Sequence, residues 1–308
     1  MLHSRAVLLM ILVTLLWSIA GVVIRQLDSA SSFELTFWRS AFNALALFIA
    51  LRVIRGPDLW RRIIHSPPVV WVSGFCWSIM FTAFMVALTI TTVANVLIVM
   101  ALMPLITALF SRLFLQHRLS MVTWVAIGVA IMGIAWMFIG GRGTTFSLLG
   151  SLVALSIPLA AACNFTILQH VGFKKEIRAL SSGGEPAHDM MLAVLIGAIL
   201  SSLATLPLSW PFQSSLHDLG LLSLLGVFQL ALPCLLLVRV SRELSAPEIT
   251  LLQPLEVIFG VTWAWLWAGE HLSLNTLCGG LLVLGALITN ELARIYRQRQ
   301  YNNIEQHR

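Results

Sequence analysis

Apolar residues are grouped along the chain into ten long runs separated by short polar stretches. Each run holds about 20 residues, the length at which an α-helix crosses the hydrocarbon layer of a bilayer. The runs begin near Ala6, Phe33, Val69, Thr92, Met121, Ser147, Asp189, His217, Pro247 and Leu272. The first run contains Trp17 and lacks a clear small-residue cleavage site, so we expect it to remain as a helix and not to be a removed signal peptide. The pattern therefore predicts ten transmembrane helices.

The composition supports the same class. Hydrophobic residues make up 58% of the 308 residues, only 10% are charged, and the mean hydropathy is +0.91. So much apolar surface exceeds what one soluble core can bury, and within lipid a helix satisfies its own backbone hydrogen bonds. The sequence therefore predicts an all-α integral membrane protein.

The basic residues indicate how the helices are oriented. Sixteen of the nineteen Lys and Arg residues fall in the predicted loops and tail on one side; Arg25 and Arg142 fall on the other, and Arg39 lies inside the second run. By the positive-inside rule both termini are expected in the cytoplasm, as in a multi-pass inner (plasma) membrane protein. Because the cations are spread over several short loops, nucleic-acid binding is not expected.

A glycine-rich loop at 140–145 divides the chain into two parts of five predicted helices, 1–143 and 144–308. If both parts are the same unit, an odd helix number makes the second enter the membrane from the opposite face, as an inverted repeat. A shift of 153 residues brings Leu102 onto Leu255, Leu113 onto Leu266, and residues 116–120 onto 269–273. The long polar stretch Val171 to His188 is expected to be an irregular, solvated connection.

The ends of the fourth and ninth runs resemble a known family. Leu115 to Ser120 and Trp267 to Ser273 are similar to the Gly-Glu-Arg-Leu-like endings of EamA-type permeases of the drug/metabolite transporter superfamily, and Pro104 and Pro254 precede them. Trp17-Ser18 with Gly21, and Phe37-Trp38-Arg39, also resemble the family's first half. Two departures are that His117 stands where the first ending has an acid, and that Pro254 lies three residues before the position matching Pro104.

The resemblance implies secondary transport of small organic solutes such as amino acids, metabolites or drugs. Export is the favoured direction, with alternating access through a central cavity between the halves. By symmetry we expect helices one, two, four, six, eight and nine to line that cavity. The resemblance does not identify the solute or the oligomeric state.

Polar residues inside apolar runs are the candidates for substrate binding or ion coupling, because an uncompensated charge in hydrocarbon is costly. Glu256 lies near the middle of the ninth run, with Gln253 on the same helical face and a helix-bending proline beside it. Glu256 is predicted either to bind solute or protons, which makes protons the candidate coupling ion, or to form a static ion pair or interhelical hydrogen bond. Arg39 is predicted to bind a substrate carboxylate, to pair with Glu256, or to extend its side chain to the membrane surface.

Four further side chains complete the candidate set. Asn95 and Asn164 lie in runs that contain an internal proline, and Trp17 matches the family resemblance. Trp263 shares a helical face with Phe259 and Trp267, which suits either stacking on a solute or contact with lipid. For Glu270 and His117 we expect a role in capping or tethering helix ends, with gating as the alternative.

Other classes of protein receive less support. The sequence contains neither the His-Glu-x-x-His zinc motif nor a Gly-x-x-x-x-Gly-Lys-Ser nucleotide loop, so no metal, cofactor or enzymatic activity is expected. An intramembrane enzyme, a channel and a receptor remain the alternative functions.

Overall fold

The computed structural model describes residues 3–28, 31–116, 119–140, 147–182, 190–240, 243–244, 246–270 and 273–306. Regular structure in these residues is helical throughout. The helices are α1 (His3–Ser18), α2 (Ala20–Ile24), α3 (Ser32–Arg55), α4 (Leu59–Ile64), α5 (Pro68–Ile90), α6 (Val93–Met100), α7 (Met103–Leu115), α8 (Met121–Gly140), α9 (Leu148–Ser182), α10 (Met190–Thr205), α11 (Leu216–Leu224), α12 (Leu232–Val240), α13 (Ala246–Leu252), α14 (Pro254–Trp267) and α15 (Leu274–Gln306). A π-helical segment (Leu225–Ala231) joins α11 to α12, and a short 3-10 turn (Leu206–Leu208) follows α10.

Eight helices or helix pairs among the described residues are long and apolar enough to cross a membrane. They are His3–Ile24, Ser32–Ile54, Pro68–Ile90, Val93–Leu115, Leu148–Leu168, Met191–Leu208, Leu216–Leu237 and Leu274–Arg297. Of the other two predicted spans, one has a shorter apolar part, Met121–Met137, and the other is divided between α13 and α14. The protein is therefore an all-helical, multi-pass membrane protein.

Local sequence explains where several helices begin. The Ser31 hydroxyl accepts from the backbone N–H of Glu34 ahead of α3, and Thr92 does the same for Asn95 ahead of α6. Ser215 and Asp218 form a reciprocal capping box at α11. Such caps satisfy N–H groups that the first helical turn leaves without partners, which matters most where little water is available.

The helices pack in a repeating pattern of neighbours. α3 packs against α10 and the π-helical segment, and α5 packs against α9 and α10. α1 packs against α12 and α14, whereas α9 packs against both α6 and α7. α8 packs against α15, with Gly133 and Gly279 at the contact, and α6 packs against α14. One large apolar cluster lies between these elements, with smaller clusters on α3, α5 and α10 and on α1 and α12.

The polar stretch after the sixth run differs from its prediction. Residues 171–182 continue α9 as a helix, although an irregular connection was predicted there. Their sequence explains this, because Lys, Glu, Arg, Ala and Leu are strong helix formers even where they are too polar to span. Residues 183–188 of the predicted connection lie outside the described residues.

Candidate functional site

Two helices are interrupted near the middle of the bundle. α6 ends at Met100 and α7 begins at Met103 with Pro104 in its first turn, while α14 begins at Pro254 directly after α13. Proline supplies no N–H donor and disfavours a helical residue before it, so each proline marks the break. Because α6 packs against α14, the two interruptions lie side by side.

A pocket opens between these interruptions and α15. Its empty space is about 640 Å³ including the open mouth, and its walls are mostly apolar. The lining residues are Leu97, Met100, Ala101, Met103, Pro104, Leu251, Gln253, Pro254, Glu256, Val257, Leu287, Ile288 and Glu291. Gln253 and Glu256 therefore share one pocket, which confirms that they lie on the same helical face.

Glu256 is the carboxylate of this pocket that lacks a protein partner. No side chain among the described residues donates to it or forms an ion pair with it. The carboxylate lies in the first turn of α14, where the helix N-terminus favours negative charge. In an apolar pocket at membrane depth, such a group has the chemistry to take up a proton or to bind a cationic group.

Glu291 is a second acid of the same pocket that the sequence prediction missed. It is 4% exposed on α15, and its Oε2 lies 3.1 Å from Nη2 of Arg294, one turn further along the helix. The signal that could have identified Glu291 from the sequence is the presence of an acidic residue inside the tenth apolar run. The pocket thus holds two carboxylates, of which one has a basic neighbour and the other does not.

Arg39 lies at a different place, between α3, α5 and the π-helical segment. It is 1% exposed; its Nε and Nη2 donate to Oε1 of Gln229 at 3.3 and 2.9 Å. The guanidinium carbon lies 5.1 Å from the centre of the Phe84 ring. The structure contradicts both an Arg39 side chain that extends to the membrane surface and a pair with Glu256. The physical reason for this difference is that the guanidinium finds its partners inside the bundle: Gln229 supplies an acceptor and Phe84 supplies an aromatic face.

Gln229 joins this arginine to the first membrane helix. Its Nε2 donates to the carbonyl oxygen of Trp17 at 3.2 Å, close to the point where α1 ends and α2 begins. The Trp17 side chain packs against the apolar cluster of α1 and α12. The π-helical segment holds Gln229 in this position, and such widened turns are frequent at functional sites. Hydrophobic periodicity does not predict this widened turn.

Trp263 is tied to the same region of α1. Its Nε1 donates to the Ser18 hydroxyl at 3.1 Å, and its ring stacks on Phe259 and Trp267 with centroid distances of 6.4 and 4.8 Å. Trp265 lies outside this stack and is 59% exposed. The predicted aromatic face on α14 is confirmed, and Trp263 is the residue of that face that contacts α1.

The two candidate asparagines differ in their surroundings. Asn95 donates to the hydroxyls of Thr91 and Ser151 at 3.0 and 2.7 Å, which links α6 to α9. Asn164 is 1% exposed on α9, and neither atom of its amide has a hydrogen-bond partner. Asn95 therefore stabilises helix packing, whereas Asn164 retains free hydrogen-bonding capacity inside the bundle.

A charged tie connects three helix ends on one face. Arg25 donates to Oε1 of Glu270 through Nε and Nη2 at 3.0 and 2.8 Å, and the Val93 N–H donates to the same carboxylate at 3.0 Å. This Arg25–Glu270 tie confirms the tethering predicted for Glu270; His117 lies outside the described residues. On the other face, which we call the amino-terminal face, His3 lies 2.7 Å from Glu248.

One group of potential metal ligands lies near the loop between α2 and α3. The ligating atoms of Asp28, His217 and Asp218 are within 4.8 Å of one another. Asp218 already accepts from the backbone N–H groups of Asp28 and Ser215. These hydrogen bonds account for the buried Asp218 as a helix cap.

Together these features define a class of protein. Interrupted membrane helices that meet at a pocket with an unpaired carboxylate are typical of secondary transporters. The chain belongs to the EamA-like transporter family, whose model matches residues 4–139 and 148–290. It is thus a membrane transporter of a small-molecule substrate, in a family of transporters and not of enzymes.

Individual relatives agree with this family. The chain is 24% identical over 289 residues to the pseudopaline exporter CntI of Pseudomonas aeruginosa, covering 92% of this chain and 95% of that protein. It is 24% identical over 285 residues to the uncharacterized transporter YdfC of Bacillus subtilis, and the match covers 88% of this chain and 86% of that protein. A solved crystal structure aligns over 94% of this chain and 97% of the other with a TM-score of 0.57 and 19% identity, which supports the fold alone.

Proposed function

We propose that the protein is a secondary transporter that exports small organic solutes by alternating access between two inverted five-helix halves, residues 1–143 and 144–308. The observation that carries the proposal is the pocket where two interrupted helices meet around the unpaired Glu256. In this mechanism the halves rock about a central site, and broken helices supply the free backbone and polar groups that a solute needs.

The pattern of helix neighbours supports the inverted halves. If spans one to five correspond to spans six to ten, the contact of α5 with α9 corresponds to that of α12 with α1. The contact of α5 with α10 then corresponds to that of the π-helical segment with α3, and the contact of α7 with α9 to that of α14 with α1. A single twofold operation accounts for all three correspondences.

Local structure repeats at the same offset of 153 residues. Gln116 and Gly269 both have left-handed backbone conformations, with φ of 56° and 64°. After each of them a serine hydroxyl accepts from the N–H three residues on, in Ser120 with Thr123 and in Ser273 with Thr276, at 3.1 Å in both places. Such agreement favours a common origin of the two turns.

Equivalent helices run in opposite directions, as inversion requires. α8 and α15 occupy the fifth position of each half. A Cβ added at Gly133 would lie against the Gly279 carbonyl oxygen and, one turn later on α15, the Val283 side chain. A Cβ added at Gly279 would lie against the Gly133 carbonyl oxygen and, one turn later on α8, the Met137 side chain. A repeat without inversion is expected to have these two helices parallel.

We further propose that the amino-terminal face is cytoplasmic and that the membrane is the inner membrane. The excess of Lys and Arg on the side of both termini supports this orientation. Export is supported by the relative named as an exporter, which is similar over nearly the whole chain.

Glu256 is proposed to take up a proton during the transport cycle. Its isolation from donors and cations among the described residues supports this role, because an unpaired carboxylate gains more from protonation than a paired one. Solute and proton then compete for the same pocket, which couples one movement to the other.

The test begins with external metabolites of cells that carry or lack the protein. The enriched compound is then used in proteoliposome flux assays across a range of pH. We expect the initial rate of wild-type protein to respond to an imposed pH gradient and that of Glu256→Gln to be insensitive to it. Asp58→Asn, an exposed acid ahead of α4, is the matched control and should behave as wild type. An unaltered rate and pH dependence in Glu256→Gln removes Glu256 from the mechanism.

A further inference from the structure

Arg39 carries a buried positive charge that no acidic side chain of the described residues neutralises. It is among the largest fully buried side chains, and its polar partner is the neutral amide of Gln229. Burial of a guanidinium is costly, and a neutral acceptor compensates only part of the lost hydration. A buried ionisable group inside a membrane bundle is therefore a candidate for a functional role.

Part of the guanidinium is free to bind. Nε and Nη2 are both directed at Oε1 of Gln229, whereas Nη1 is buried and has no hydrogen-bond partner. Arginine presents its donors as a planar fork that matches a carboxylate in two places. The structure thus leaves one arm of the fork without an acceptor.

Gln229 cannot rotate to supply that acceptor. Its Nε2 donates to the Trp17 carbonyl, so its single amide oxygen is fixed toward Arg39. The close backbone contact at Gly226, where an added Cβ would lie 2.8 Å from the Arg39 carbonyl oxygen, holds the π-helical segment against α3. The guanidinium is therefore fixed in place before any ligand arrives, which lowers the entropy lost on binding.

Other polar atoms without partners lie along the same two helices. Asn43 is one turn beyond Arg39 on the same face of α3; it is fully buried, and neither atom of its amide has a partner. On α5, Trp77 is two turns from Phe84, the residue whose ring lies under the guanidinium. The Nε1 of Trp77 is also buried without a hydrogen-bond partner. Buried polar groups are rarely left unsatisfied, so these atoms have hydrogen-bonding capacity for a polar ligand or water.

We propose that Arg39 binds a carboxylate of the transported solute, with Asn43 as an accompanying hydrogen-bonding residue. This inference rests on the proposed transport function and adds the chemical class of the substrate: a small organic acid or amino acid. The solute's carboxylate accepts from Nη1 and neutralises the guanidinium, while Gln229 keeps the side chain in position. The site is separate from the pocket of Glu256, whose lining includes neither Arg39, Asn43 nor Gln229.

A purely structural Arg39 makes the opposite prediction for stability. If the guanidinium only holds α3 to the π-helical segment, its removal should destabilise the ligand-free protein. If it is kept for a ligand, an apolar side chain of similar length should be tolerated or even stabilising, because the unneutralised charge is removed.

The experiment compares wild type with Arg39→Met and Arg39→Lys, and with Arg52→Met as a matched control on the exposed end of α3. Two quantities are measured: the external metabolites of cells expressing each variant, and the thermal unfolding midpoint of each purified protein in detergent without added solute. We expect each compound whose release depends on the wild-type protein to carry a carboxylate. We expect its initial export rate to fall about tenfold or more in Arg39→Met. Arg39→Lys should also be impaired, because it keeps the charge and loses the fork.

The unfolding midpoint of Arg39→Met should equal or exceed that of wild type. A dependent compound without an acidic group, or an Arg39→Met protein whose midpoint falls well below that of Arg52→Met, overturns the proposal. If no compound depends on the wild-type protein, the transport function itself fails, and the melting comparison still decides whether Arg39 is structural.

Discussion

The Arg25–Glu270 tie is expected to keep one face of the transporter closed, so Glu270→Ala should open that face. The carboxylate receives hydrogen bonds from Arg25 and from the Val93 N–H, which joins the ends of α2, α6 and α14. The Arg25 side chain is 31% exposed, so we assign its ion pair about 1 kcal/mol. The hydrogen bond from the Val93 N–H to a carboxylate that is 11% exposed contributes about 2 kcal/mol. A loss of about 3 kcal/mol shifts the equilibrium between closed and open states about 100-fold.

Cysteine accessibility measures this shift directly. Ser18 is 2% exposed and lies on the side of α1 that faces Trp263, below the tie. In a background with the four native cysteines replaced by alanine, Ser18→Cys is labelled with a membrane-impermeant maleimide added from the face that carries the tie. Because labelling requires the open state, its rate should rise by up to about 100-fold in Glu270→Ala.

Glu248→Ala is the matched control for this experiment. Glu248 and His3 join α13 to α1 at the amino-terminal face, but their side chains are 40% and 64% exposed, so the pair contributes little. Labelling of Ser18→Cys should be unchanged in that variant. Equal labelling rates in Glu270→Ala and its parent would refute the assignment of the tie as a gate.

Two further predictions concern stability and use thermal unfolding of the purified protein. Gly226→Ala should destabilise the protein by about 1–3 kcal/mol, because the new Cβ would lie 2.8 and 2.9 Å from backbone atoms of α3. The control Gly128→Ala, at a position with nothing within 4 Å of the added Cβ, should leave the stability unchanged. Equal effects of the two substitutions would contradict the packing of the π-helical segment against α3. Asn95→Ala and Ser151→Ala should each cost about 0.6–1.7 kcal/mol. The double variant should cost less than the sum of the two, because both single variants remove the shared Asn95–Ser151 hydrogen bond in addition to a bond of their own. Strict additivity would show that the shared bond contributes nothing.

The helix positions could be predicted from the sequence because they depend on local hydropathy. Each of the ten predicted starts lies within three residues of a helix start, as with Met121 at α8 and Phe33 beside Ser32 at α3. The prolines also marked the interruptions before α7 and α14. Helix continuity was harder: the extension of α9 to Ser182 follows from helix propensity, which a search for spanning segments does not weigh.

The site could be predicted only in part, because side-chain partners depend on how distant helices pack. Glu256 and Gln253 were predicted to share a face and do so, since one helix sets their spacing. Arg39 could not be matched with Gln229 from the sequence, because the two are 190 residues apart and a π-helical turn decides where Gln229 points. Glu291 enters the pocket through the packing of α15 beside α13 and α6, which hydropathy does not specify.

The central claim is that the two halves enter the membrane from opposite faces. Its most direct test is the compartment reached by reporter tags inserted after residue 143 and at the carboxyl terminus. The inverted arrangement predicts that the carboxyl terminus is cytoplasmic, together with the amino terminus, and that the tag after residue 143 is on the outer side. Tags at both positions in the same compartment would contradict it.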